Sequence, residues 1–94
     1  MKLLIASDIH GDIAAARAVF CAREREGCER VLLLGDLLYH GPRNDLPAAY
    51  APKEVIALLN SHKNEILAVR GNCEAEVDQM VLKFPVLADY AIID

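Results

Sequence analysis

The chain has 94 residues, is 54% hydrophobic with three Tyr, two Phe and no Trp, and carries a formal net charge of −4. That length suits one small domain rather than two, and the composition is that of a packed globular α/β protein. No cluster of Lys and Arg forms a stripe that could follow a phosphate backbone, which argues against a nucleic-acid-binding surface but not against a phosphorylated substrate held by a metal.

The run Leu3-Leu4-Ile5-Ala6 reads as a buried strand. It stops too early, at Ser7-Asp8, to be a signal peptide, and no stretch of the chain approaches membrane-spanning length. Asp8 and His10 follow the run directly. A hard oxygen and an imidazole two residues apart on a short loop suit a divalent metal, and Gly11 then lets the backbone turn.

Asp12 is placed to cap a helix over about 13–26, with Ile13, Ala16, Val19 and Phe20 facing a sheet. Arg17 and 23–26 form its solvated side, and Gly27 stands where a left-handed cap would. Cys21 and Cys28 read as packing residues. With Cys73 they are odd in number and lack Cys-x-x-Cys spacing, the pattern of reduced thiols in a cytoplasmic protein.

Val31 to Leu34 reads as a second buried strand, ending in Gly35-Asp36. The segment 37–51 contains Tyr39-His40-Gly41-Pro42-Arg43-Asn44-Asp45 and is a loop of unusual length. Pro52 opens a second helix with Val55, Ile56 and Leu59 inward, stopping near Asn60-Ser61. His62 follows as a solvated residue at the helix end. Glu65 to Val69 reads as a third strand, ending in Arg70-Gly71-Asn72-Cys73-Glu74. A short helix over about 76–83 would partly bury Val77, Met80, Val81 and Leu82; Pro85 breaks it, and 90–93 would begin a fourth strand.

Strands alternating with helices imply a parallel sheet with right-handed crossovers, in which all strands end along one edge. Asp8, Asp36 and Asn72, with His10 beside the first, are therefore expected to converge there. The absence of a Gly-x-Gly-x-x-Gly or Gly-Lys-Ser/Thr loop ranks a nucleotide-binding module last.

Asp8-x-His10, Gly35-Asp36 and Gly71-Asn72 resemble the first three motifs of the calcineurin-like metallophosphoesterases. Leu34-Gly35-Asp36, His40 to Asn44 and Ala68 to Cys73 resemble the YfcE-type bacterial phosphodiesterases among them. The resemblance implies a four-layer α/β/β/α sandwich, of which this chain would supply the N-terminal half as a partial domain, β-α-β-α-β with a mainly parallel sheet. It implies two divalent ions, Mn²⁺ or else Fe, Zn or Ni, and hydrolysis of phosphate esters by a water activated between them. Asp8 and His10 would hold the first metal, Asp36 would bridge both, and Asn72 would bind the second and face the phosphate. Arg43, His40 and Asn44 would contact substrate, since an Arg can meet a phosphate with two parallel hydrogen bonds.

Two features depart from that family. Cys73 stands where many members have the His that protonates the leaving group, and a thiol of pKa about 8.5 is a poorer proton donor, which favours diesters and activated monoesters. The Gly-His and Gly-His-x-His motifs of a C-terminal half have no counterpart here, where the histidines are His10, His40 and His62. The chain is then expected to be incomplete for catalysis alone, whether as a truncated product, one half of a split gene or a homo-oligomer that completes itself. The alternative is a metal-poor interaction scaffold of the same fold; retention of Asp8, His10, Asp36 and Asn72 weighs against it.

Overall fold

A computed structural model describes residues 2–39, 46–71 and 74–89. Three parallel strands, β1 (Leu3–Ala6), β2 (Arg30–Leu33) and β3 (Ile66–Ala68), form one sheet in the order β1-β2-β3. They alternate with helices α1 (Ile13–Glu26), α2 (Pro52–Ser61) and α3 (Glu76–Val81).

Strand register decides what is buried. Leu4 pairs with Val31 and Val31 with Ile66; Ala6 pairs with Leu33 and Leu33 with Ala68. These rows form the face joined in one core with Ile13, Ala16, Phe20, Val55 and Leu59 of the helices, and Val31, Leu33, Val55 and Leu59 are wholly buried. The opposite rows, including Ile5-Leu32-Leu67, are not covered in the same way. Ile5 is 59% exposed and Leu34, just past β2, 43%; β1 is at most partly buried and β2 is fully buried on one face only, against the expectation of buried runs.

α1 begins and ends where its caps dictate. The Asp12 carboxylate accepts the Ala15 N–H at 3.1 Å, and Gly27 adopts φ 66° while its N–H returns to the last turn. Helical phase puts Ile13, Ala16 and Phe20 in the core but turns Cys21 outward; of the two cysteines assigned to packing, only Cys28 is buried. Pro52 opens α2, where its missing N–H costs nothing. His62 is not simply solvated: its ring stacks on Phe20 at 4.0 Å between centroids, tying the end of α2 to α1.

α3 ends at Val81, two residues before the expected Lys83. The Asn60 side chain is the reason: its NH₂ donates to the Val81 carbonyl at 2.9 Å and its oxygen accepts the Lys83 N–H at 2.7 Å, so these backbone groups are satisfied outside a helix. Leu82, Phe84 and Val86 then descend into the core in non-helical chain. The expectation that Val77, Met80 and Val81 are partly buried fails, since they are 61%, 82% and 37% exposed. The buried residue of α3 is Asp78, whose Oδ2 accepts the Ala75 N–H at 2.8 Å. β2 is displaced by one residue relative to its apolar run, β3 is shorter than its run by one residue at each end, and the expected fourth strand at 90–93 lies outside the described residues. Among the described residues, no helix is long and apolar enough to cross a membrane.

Candidate metal centre

The ladder does not stop where the strands do. Beyond Ala6 and Leu33 the first two loops remain bonded to each other: Asp8 N–H donates to Gly35 O at 3.1 Å, His10 N–H to Asp36 O at 2.8 Å and Gly11 N–H to Leu37 O at 2.8 Å. The two acid-bearing loops are thus held in one register with the sheet. The second and third loops meet just as closely, because a Cβ on Gly35 would collide with the Gly71 backbone and one on Gly71 with the Asp36 carboxylate. Tyr50 closes the other side: its ring lies where a Gly11 Cβ would be, and Ala51 N–H donates to Gly11 O at 2.8 Å.

This stitching forces an unusual backbone. Asp8, His10 and Asp36 have φ of 59°, 50° and 57°, and among the described residues they are the non-glycine residues in the left-handed region. Each such conformation costs on the order of 1–3 kcal/mol and persists where the surroundings over-determine it. The strain is concentrated on three side chains that converge: one ligand atom from each of Asp8, His10 and Asp36 lies within 4.8 Å of the others. Two hard carboxylates and an imidazole are a donor set that fits Mn²⁺, Fe, Zn or Ni.

The His10 ring is held at both nitrogens. Nδ1 lies 2.8 Å from the Tyr39 carbonyl and Nε2 3.0 Å from Asp8 Oδ1. Both partners accept hydrogen bonds, so the protonated imidazole satisfies both, whereas the neutral ring keeps its proton on Nδ1 for Tyr39 and turns the Nε2 lone pair into the cluster. Partial burial pulls the His10 pKa down, but the Tyr39 carbonyl and the Asp8 and Asp36 carboxylates outweigh it and raise the value above 6.5. Asp8 is lowered chiefly by the Ser7 hydroxyl, which donates to Oδ2 at 2.6 Å; partial desolvation opposes this, while His10 and Asp36 reinforce it.

Asp36 is 7% exposed and Glu74, 6% exposed, lies beside it. Burial pushes the Glu74 carboxyl upward, the Asp36 and Gly71 peptide groups pull it back, and the neighbouring charges of Asp36 and Asp78 add to the rise.

Of the residues expected in the site, Asp8, His10 and Asp36 come together. Asn72, Cys73, His40, Arg43 and Asn44 lie outside the described residues. The site also draws on Ser7, the Tyr39 carbonyl and Glu74, none of which belongs to the expected set. The signal for Glu74 was present as an acid in the third strand-end cluster, but a backbone carbonyl such as that of Tyr39 has no signature in side-chain identity.

The fold has a counterpart among known proteins. The chain belongs to the calcineurin-like phosphoesterases, whose family profile matches residues 1–93. It is 49% identical over 90 residues to phosphodiesterase YfcE of Escherichia coli K12, a match covering 96% of this chain and 49% of that protein. YfcE of Escherichia coli O157:H7 gives the same figures. A solved structure of YfcE, described as a phosphoesterase from E. coli, has a TM-score of 0.90 at 50% identity, covering 94% of this chain and 48% of that one. The chain therefore spans about half the length of the relatives it matches, and its three parallel strands with alternating helices follow the corresponding half of the metallophosphoesterase fold.

Proposed function

We propose that this protein is a metal-dependent phosphoesterase acting on phosphodiesters and activated phosphomonoesters. The observation that carries the proposal is the coincidence of three left-handed, non-glycine residues with the three clustered ligand groups Asp8, His10 and Asp36. A scaffold of the same fold has no use for strain confined to its ligand residues.

Asp8 and His10 would hold one ion and Asp36 would bridge to a second, with Mn²⁺ the favoured metal. When bound, such ions polarise a phosphoryl oxygen and lower the pKa of a coordinated water. The chain's own residues prepare for this. Ser7 occupies one oxygen of Asp8 and leaves the other toward His10. The Tyr39 carbonyl fixes the imidazole so that Nε2 faces the carboxylates. Asp36, buried and stitched to both neighbouring loops, keeps its direction without a search through rotamers.

By position after Gly71, Asn72 would bind the second ion through its oxygen and offer its NH₂ to the phosphate. Cys73 would make proton donation to an alkoxide inefficient, and Arg43, His40 and Asn44 would meet the substrate. These residues leave the second ion short of ligands, so the remaining imidazoles would come from outside the 94 residues, from a C-terminal half or a second copy. The same addition would cover the sheet face that exposes Ile5 and Leu34. A cytoplasmic location accords with the unpaired cysteines Cys21 and Cys28.

The test is hydrolysis of bis-p-nitrophenyl phosphate with excess Mn²⁺. The 94-residue chain alone should turn over hardly at all, and addition of a C-terminal half carrying Gly-His and Gly-His-x-His should restore turnover that Asp36→Asn abolishes. Full turnover by the isolated chain would refute the incomplete site. Asp36→Asn activity equal to the unsubstituted completed enzyme would refute the metal-dependent reaction itself.

A further inference from the structure

We infer that Glu74 is a positioning residue that aims Asp36 by accepting its backbone N–H. The inference deepens the metal site proposed above and rests on it. Glu74 Oε2 receives the Asp36 N–H at 2.8 Å across 38 residues of chain. The Asp36 carbonyl goes to His10 N–H, whereas its N–H points under the site, toward a side chain. A left-handed residue is held there against its own backbone preference, and a buried N–H with no acceptor would cost a further 1–3 kcal/mol or so. Supplying that acceptor fixes φ at Asp36 and with it the direction of the carboxylate.

The choice of side chain indicates more than filling. Glu74 is 6% exposed, and its second oxygen, Oε1, is buried with no hydrogen-bond partner among the described residues. A buried carboxylate beside another carboxylate is an unfavourable core residue. It persists because its bonds to peptide N–H groups, that of Asp36 through Oε2 among them, are charge-assisted and hold the Asp36 loop in place.

Two variants separate this role from general packing. In Glu74→Gln the amide oxygen can still accept the N–H; in Glu74→Leu nothing can. Both lose the charge, so the difference between them isolates the accepted hydrogen bond. In metal-free protein the Asp36 amide proton should stay downfield in the NMR spectrum of Glu74→Gln and move upfield in Glu74→Leu. By calorimetry, Mn²⁺ affinity should fall about 10–100-fold in Glu74→Leu, the usual effect of removing a group that orients a ligand, and clearly less in Glu74→Gln. Equal losses in the two variants, or an Asp36 amide shift unmoved by Glu74→Leu, would overturn the inference. If Asp36→Asn abolishes Mn²⁺ binding while folded Glu74→Leu binds as tightly as the parent, the metal site stands and only the role of Glu74 falls. If the parent binds no Mn²⁺, the metal site falls and the inference with it.

Discussion

The carboxylate of Asp36 lies in the space that a side chain on Gly71 would need. Gly71 itself is not in the left-handed region, so alanine carries no conformational penalty there; the methyl must displace either the carboxylate or the Asp36 peptide. Gly71→Ala should therefore lower Mn²⁺ affinity about 10–100-fold, as loss of a supporting contact does. Gly27→Ala is the control. Gly27 has φ 66° with nothing near its missing Cβ, so its alanine should cost about 1 kcal/mol of stability and leave metal affinity unchanged. Calorimetry with Mn²⁺ and urea unfolding of both variants check this, and similar affinities in the two would contradict it.

Asp36→Asn should lose more metal than His10→Ala. A bridging carboxylate supplies charge to both ions, and its amide replacement weakens both, whereas His10 serves one. The metal-to-protein ratio after dialysis against Mn²⁺, measured by mass spectrometry, gives the comparison; equal or reversed losses would count against the bridge.

Metal binding should be pH-dependent through His10. Its pKa in the fold is raised above 6.5, so as pH falls through that value Nε2 acquires a proton and its lone pair is lost to the metal. Mn²⁺ affinity should drop as pH falls through the raised folded value, with proton release on binding around it. The metal-free protein should respond with the opposite sign. A histidine whose folded pKa is raised contributes stability that is fully present below the unfolded value and is lost as pH rises through the folded value. Calorimetry in two buffers of different ionisation enthalpy counts the protons, and the pH-dependent part should vanish in His10→Gln.

The two faces of the sheet should differ in their tolerance of truncation. Leu33 is wholly buried, and Leu33→Ala should cost about 2–5 kcal/mol. Ile5 is 59% exposed, and Ile5→Ala should cost less than about 1 kcal/mol in the 94-residue chain. In a completed fold that covers this face, the Ile5 penalty should grow toward that of a core residue. Urea midpoints for both variants, with and without the C-terminal half, measure the change, and an Ile5 penalty unaffected by completion would show that the face stays open.

Much of this protein is written locally. Asp12 and Gly27 bound α1, Pro52 opens α2, and an acid follows each of the first two apolar runs, because caps, turns and helical period act through residues within about four positions of one another. The convergence of Asp8, His10 and Asp36 was also legible, since a parallel sheet brings strand ends to one edge. Only the tertiary structure decided the rest. Ile5 and Leu34 are as apolar as Leu33, and nothing in their identity says which face the helices leave uncovered. Met80 and Val81 look like core residues until Asn60, 21 residues before Val81, ends their helix. The groups that orient the site, the Tyr39 carbonyl for His10 and Glu74 for Asp36, lie 29 and 38 residues away. Such partners are chosen by strand register and loop closure, which depend on the whole chain at once, and so they leave no mark in the sequence around the residues they hold.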